Sequence, residues 1–581
     1  MPTEPLVATV ERRGRLLVAE PLFERGRRHA LDGRARNGAG EGELVLVGFG
    51  NRGTRVVRRL GRPEVARDVL EGLMLDRGLR RAFPCDVEGE AGEAAARGGA
   101  AEDDGNGRRG DLTDLPTFTV DPVTAKDFDD AISARREGDA VRVWVHIADV
   151  SAHARSGGPL DAEALRRATS VYVPGAVEPM LPHDLSSDAC SLVPGERRRA
   201  VTVEMLMRGA AVESTTFMRS VIRSDARLTY DDVDRVFHGS ERAAEPWAEP
   251  LAAAREVAAA LRERRAEAGA ALEVDSLEPS YLFDDSGNVT GVVHEEQTEA
   301  HELIEHLMIL ANEAVAGHLA DRRAPAIYRV HERPDPASIE RLLDQLASLG
   351  VPTPPFPEHA SPQEAAELVA EASRHVAAWG RRKGGQGREG FTALLLRSLK
   401  QATYSPRNVG HAGLGSERYC HFTSPIRRYP DLICHRALLG TLGLEESPPR
   451  ADELSDVALH SSLAEREALK VERDAADVCS AFLLERVLSE AAGPGEAPPF
   501  AGEVVSVIGK GAFVRFGEEG FEGFLPARRI GDEWFSLNET ETALEGEVSG
   551  RALRIGDPVD VEVERVDAPR GRVDLSPAGA W

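Results

Sequence analysis

Cysteine is scarce: five residues in 581, at Cys85, Cys190, Cys420, Cys434 and Cys479, each alone and none in a Cys-x-x-Cys pair. That excludes a zinc ribbon and a disulfide framework, and an odd, dispersed set reads as reduced thiols. Long apolar runs are also missing, so no segment is a candidate bilayer span. The opening stretch, MPTEPLVATVERRGRLLVAE, carries charge where a signal peptide needs an apolar centre. The expected compartment is therefore the cytoplasm, with no membrane partner. Positive charge is outnumbered, with 71 Lys and Arg against 97 Asp and Glu, a formal net charge of −26. A protein that coats duplex DNA is disfavoured by that balance. A basic lining confined to one groove of an acidic body is not.

What is present is a globular composition, 42% hydrophobic and 29% charged, in a chain too long for one core. Residues 1–62 show short apolar stretches broken by glycine (LVATV, RLLVAE, GELVLVGFG), the pattern of a small antiparallel OB-like barrel. Residues 63–85 have helical spacing, and the Gly/Ala/acidic run from Asp86 to Asp111 reads as a mobile linker, so 63–111 is expected to connect. Residues 112–490 mix strands and long helices. Val141, Val143, Val145 and Ile147 alternate as one face of a strand, and Ile304, Met308, Ala311 and Val315 form one helical stripe. The loop AAGPGEAPP marks a boundary, and 498–581 give five short strands with glycine turns, an OB-type barrel. The fold class is α+β and multidomain.

The segment TFTVDPVTAKDFDDAIS places Asp121 at a strand end and Asp127, Asp129 and Asp130 in the loop that follows. Pro122 turns the chain out of the strand. Carboxylates this crowded repel one another unless a cation sits among them, and hard oxygen donors suit magnesium, with manganese as the alternative. An EF-hand is excluded, because Ile132 and Gly138 stand where its glycine and glutamate belong. A solvated acidic turn is the commoner fate of Asp-rich loops. The apolar strand start at Ala131 and Ile132 argues against it here.

DPVTAKDFDDAIS followed by VWVHIADVSAHA resembles the catalytic signature of the ribonuclease II/ribonuclease R family of 3′→5′ exoribonucleases, the RNB domain. The resemblance continues in the same order through residues 172–205, RLTYDDV, HELIEHLMILAN, YRVHERPDP and HAGLGSERYCHFTSPIRRYPDLICHRAL. It implies an RNB catalytic domain flanked by a cold-shock-like barrel and an S1-type RNA-binding barrel. The implied activity is magnesium-dependent hydrolysis of single-stranded RNA to nucleoside 5′-monophosphates by a monomer. Carried onto this chain, Asp121, Asp127, Asp129 and Asp130 are metal ligands, and Asp129 and Arg427 are catalytic. Tyr172, Tyr230, Glu305 and Glu472 contact RNA, with Glu305 reading the 2′-hydroxyl. Lys510, Phe513 and Phe521 of the terminal barrel are candidates for phosphate contact and base stacking. The alternative is a non-catalytic RNA-binding factor on the same scaffold.

Overall fold

The computed structural model describes residues 5–24, 26–31, 34–50, 53–98, 109–268, 278–444, 448–491 and 499–579. Its centre is a seven-stranded sheet. The strand order is Ala226–Thr229, Phe118–Asp121, Asp130–Glu137, Ala140–Ala148, Arg197–Arg208, Ala211–Arg223 and Gly110–Asp111. The alternation read at Val141, Val143, Val145 and Ile147 forms the strand Ala140–Ala148, and all four side chains enter one core. That core is closed by the helices Ala248–Ala268 and Glu299–Asp321, whose Val257, Leu261, Ile304, Ala311 and Val315 pack on the same face. The opposite face carries Ala131, Ala148, Ala200 and Ile222 against Leu160, Leu185, Ile426 and Tyr429.

A polar chain crosses the sheet within this packing. Ser133 bonds both Thr117 (2.7 Å) and His146 (3.1 Å), His146 continues to Thr202 (2.9 Å), and Thr202 to Ser220 (2.6 Å). All five side chains are buried, which is tolerable because each polar atom finds a partner. With no counter-charge in contact, burial pushes the His146 imidazole down to about 3, so it is neutral.

The N-terminal strands form a curled antiparallel sheet, ordered His29–Leu31, Leu16–Pro21, Leu6–Arg13, Leu44–Gly50 and Gly53–Gly61, around Ala8, Val10, Ala19, Val45 and Val47. The five expected C-terminal strands close into a barrel: Phe500–Ile508, Gly511–Phe516, Phe521–Pro526, Arg572–Pro577 and Pro558–Asp567. A further three-stranded sheet, Phe535–Leu537, Ala543–Gly546 and Ala552–Arg554, lies in the chain between them and was not foreseen. Strands of three or four residues leave no periodicity to read. The 38-residue helix Leu454–Ala491 joins the parts, since its Val471, Ala475 and Leu484 share a core with barrel residues Val504 and Leu575 and with Leu73 and Met74 of the helix Ala66–Asp76.

One expectation is corrected. The first half of the supposed linker is the helix Cys85–Gly98, with Val87, Ala91 and Ala94 buried against Leu160, Ala164 and Leu185. Alanine is the best helix former, and one stripe of small side chains suffices for close packing. Glu90 Oε2 fixes the contact by accepting the Leu160 N–H at 2.7 Å. Residues 99–108 of that stretch lie outside the described residues. No helix among the described residues is long and apolar enough to cross a membrane.

Candidate active site

The acidic loop leaves the sheet between two neighbouring strands. Asp121 is the last residue of one strand, and Asp130 is the first of the next, paired with Ile147, rather than part of the loop. The intervening backbone is held from outside. Arg227 Nη2 donates to the carbonyls of Pro122 (2.6 Å) and Val123 (2.9 Å), and its guanidinium lies 5.5 Å from the centre of the Phe128 ring. Ser191 Oγ accepts the Phe128 N–H at 3.0 Å and donates to the Lys126 carbonyl at 2.9 Å. The Asp129 carbonyl accepts the Ala148 N–H at 2.8 Å.

The carboxylates themselves are poorly satisfied. Asp121 Oδ2 and Asp129 Oδ2 are buried with no hydrogen-bond partner. Burial raises the Asp121 carboxyl above its ordinary range, and the neighbouring Asp130 raises it further. Burial also raises Asp129 and Asp130, against the opposing pull of Arg427. Asp129 Oδ1 accepts the Ile426 N–H at 2.8 Å, and Oδ2 lies 3.6 Å from Arg427 Nε. Asp127 Oδ2 accepts the Tyr172 hydroxyl at 2.8 Å.

Arg427 is presented by a loop fixed at nearly every residue. Phe422 N–H donates to Asn312 Oδ1 (2.8 Å), Ser424 N–H to Asp431 Oδ1 (2.8 Å), and Arg428 N–H to the Ser424 carbonyl (3.0 Å). The Arg427 carbonyl accepts the Ser170 N–H at 2.9 Å. The neighbouring Arg428 differs from it. Its guanidinium donates to Asp431 at 2.7 Å beside the first turn of the helix Tyr429–Thr441, whereas the Arg427 side chain stays half exposed.

These segments enclose one cavity of about 660 Å³. Asp121, Asp127, Asp129, Asp130, Tyr172, Tyr230, Glu305 and Arg427 all line it. Tyr172 projects from the hairpin Val171–Val173/Ala176–Glu178, and the Tyr230 ring stacks on His301 with centroids 3.8 Å apart. Glu305 accepts Gln297 Nε2 at 2.9 Å. Sequence reasoning missed Asn312, Tyr419, Ser424 and Arg428, which line the same cavity. For Asn312 the signal was present, a lone amide in the apolar run LMILAN.

The remaining candidates lie outside that cavity. Glu472, on the long helix, accepts the Tyr172 N–H at 2.9 Å and so holds the hairpin that carries the tyrosine. Lys510 lines a separate depression on the terminal barrel, together with Phe524, Arg528 and the exposed Trp534. Phe513 is half-buried, 5.3 Å from Phe524 between ring centroids. Phe521 is a correction. It is 1% exposed and faces Phe516 inside the barrel, so its ring has no face for a base.

A divalent cation is implied by the carboxylates, and the donor set can be tested against one. Among the described residues, no three His, Cys, Asp or Glu side chains are grouped so as to hold a metal ion as they stand. The chemistry nevertheless fits a hard dication, with two orphaned carboxylate oxygens and three carboxyls raised by burial on one cavity wall.

Comparison with known proteins follows the same division of the chain. A family model described as the RNB domain matches residues 109–443, and one described as the S1 RNA binding domain matches residues 497–577. The chain is 34% identical over 560 residues to ribonuclease R of Escherichia coli, covering 93% of this chain and 66% of that protein. It is 36% identical over 506 residues to ribonuclease R of Thermotoga maritima, covering 85% and 68%. It thus spans about two thirds of the length of these curated relatives. The solved Mycoplasma genitalium RNase R in complex with ribose methylated single-stranded RNA has a TM-score of 0.85 at 24% identity, over 99% of this chain and 89% of that one. At that identity the likeness is one of fold.

Proposed function

The chain belongs to the RNB-domain family, and on that premise we propose that it hydrolyses single-stranded RNA from the 3′ end in the cytoplasm, releasing nucleoside 5′-monophosphates. The observation that carries this reading is convergence. Side chains from segments as far apart as Asp121, Tyr172, Tyr230, Glu305 and Arg427 wall one cavity, each of a type the reaction uses.

Asp121, Asp127, Asp129 and Asp130 would hold magnesium, or manganese in its place. When bound there, such a cation supplies Lewis-acid charge stabilisation and a more acidic water. The residues do the rest. Tyr172 and Tyr230 flank the strand end with their rings, and Glu305 accepts the 2′-hydroxyl that separates RNA from DNA. Asp129 orients the attacking water. Arg427, held at a fixed place by its loop, offsets charge on the scissile phosphate as the P–O3′ bond breaks. A new P–O bond forms to the water oxygen, and the O3′ left on the shortened strand takes up a proton. Lys510 and Phe513 of the terminal barrel supply contacts remote from the chemistry, so affinity for long RNA does not depend on the reacting end alone.

The test is a 5′-labelled single-stranded RNA incubated with magnesium, with and without chelator. A ladder shrinking from the 3′ end to a short remnant, abolished by chelator, is the expected result. RNA that is bound but never shortened would overturn the proposal in favour of the non-catalytic alternative.

A further inference from the structure

Asn312 lies two helical turns beyond Glu305 on the helix Glu299–Asp321, and Met308 and Ile309 line the cavity between them. It is 2% exposed in a stripe that is otherwise apolar. A buried amide in such a place is unfavourable unless both of its poles are satisfied. Both are, and both by the segment that carries Arg427. Oδ1 accepts the Phe422 N–H at 2.8 Å, and Nδ2 donates to the Tyr419 hydroxyl at 3.1 Å. The Asn312 main-chain carbonyl also accepts the Cys420 thiol at 3.4 Å. Three ties within four residues of loop fix its register on the helix. From there the loop runs over Ser424, held by Asp431, and Ile426, held by Asp129, to Arg427.

An apolar side chain of similar size would fill the same volume without fixing any register. The amide supplies direction, because its oxygen only accepts and its nitrogen only donates, so each pole needs a partner of the opposite kind. We propose that Asn312 is a positioning residue for the reaction. It sets the Arg427 guanidinium at a fixed offset from Glu305, so that the sugar and the scissile phosphate of one nucleotide are engaged together. The inference rests on the exoribonuclease reading above, and adds to it a residue that touches neither RNA nor metal in its assigned role. Tyr419 belongs to the same device, since its hydroxyl serves one pole of the amide.

The test compares Asn312→Ala, Tyr419→Phe and Arg427→Ala, alone and combined, by melting temperature and by kcat and KM on labelled single-stranded RNA with magnesium. Misplacing a charge-stabilising group by about 1 Å costs up to about 100-fold. Asn312→Ala is therefore expected to lower kcat about 30-fold with KM within about 3-fold. Tyr419→Phe, which leaves the Phe422 tie intact, is expected to lower kcat about 5-fold. In the Arg427→Ala background either change is expected to cost less than about 2-fold, because the group it positions is gone. A merely structural role would multiply equally in both backgrounds, and that result overturns the inference. So does a kcat within about 2-fold of normal for both single variants. Should Asn312→Ala fail to fold, Tyr419→Phe decides alone, because it removes one hydroxyl and opens no cavity. Wild-type protein that does not shorten RNA at all would sink the exoribonuclease reading first, and the inference with it.

Discussion

Asp129→Asn separates stability from activity in opposite directions. The side chain is 4% exposed, and its Oδ2 has no hydrogen-bond partner. Asparagine keeps the shape and keeps Oδ1 as acceptor for the Ile426 N–H, while the charge disappears. Burying an ion, or taking up a proton to avoid doing so, costs several kcal/mol even after relaxation. The compensating attraction comes from Arg427 at 3.6 Å, whose side chain is 46% exposed and therefore screened, worth about 1 kcal/mol at most. Neutralisation should thus raise stability by roughly 1–3 kcal/mol, or a melting temperature higher by about 2–6 °C. The measurement belongs in chelator, where no cation offsets the charge. Activity should move the other way, falling at least about 1000-fold in single-turnover degradation, with RNA affinity within about 3-fold. A stabilised, binding-competent, inactive variant is the expected signature of a site that sacrifices stability for function. Should the melting temperature fall together with activity, Asp129 is a structural carboxylate and the reasoning fails. Retained hydrolysis would refute it as directly.

The remaining expectations use independent parts of the fold. Arg427→Ala should slow cleavage at least about 100-fold while weakening long-RNA binding less than about 3-fold, since remote contacts carry most of the affinity. Normal cleavage would mean the wrong arginine has been assigned. Phe521→Ala should destabilise the terminal barrel by about 3–5 kcal/mol, whereas Phe513→Ala should leave melting unchanged and weaken RNA binding. Calorimetry and binding isotherms read the two effects, and the reverse pattern would restore Phe521 as a contact residue. His146, neutral and pushed down to about 3 by burial, gives a pH dependence. Its folded pKa lies below the unfolded value, so its contribution is intact above about 6.5 and is lost as pH falls from there toward 3. Between pH 6.5 and 5 the wild type should lose roughly 2 kcal/mol more than His146→Gln, measured by denaturant titration. Parallel pH profiles would show that the imidazole is not held neutral.

Much of the fold was legible because its signals are local. The strand Ala140–Ala148 follows from valines two apart, and the helix Glu299–Asp321 from a stripe at helical spacing. The acidic cluster was legible as composition, and the apolar strand start at Ala131 and Ile132 set it apart from a solvated acidic turn. What escaped is what only the third dimension decides. Phe521 and Phe524 look alike in GFEGFLP, yet they fall on opposite faces of one strand, the first buried and the second half-exposed. Which face is the inside is fixed by barrel closure, to which the strand's own letters are blind. The helix Cys85–Gly98 escaped because alanine and glycine read as linker until a neighbour such as Leu160 supplies the surface to pack on. Arg227 escaped for a different reason. It acts on the carbonyls of Pro122 and Val123, and main-chain acceptors leave no trace in sequence.

That last case shows how the site is made. Four carboxylates in one wall oppose folding locally, and a fold that satisfied them with its own donors would leave nothing for a cation. Instead many of the donors go to the backbone, beside the Ile426 N–H on Asp129 and the Tyr172 hydroxyl on Asp127. Arg227 binds two carbonyls, Ser191 binds the Phe128 N–H and the Lys126 carbonyl, and Ala148 N–H binds the Asp129 carbonyl. Arg428, the cation next in sequence to Arg427, is directed to Asp431. Arg427 comes within 3.6 Å of Asp129 Oδ2 without hydrogen bonding to it, close enough to moderate the charge and free enough to meet another anion. The main chain is therefore over-determined while carboxylate oxygens of Asp121 and Asp129 remain unpaired, a local conflict that the rest of the fold sustains. Such an arrangement is sustained because the conflict is confined to one loop and the two strand ends that flank it, with the apolar core of the sheet on one face and the polar chain through His146 on the other.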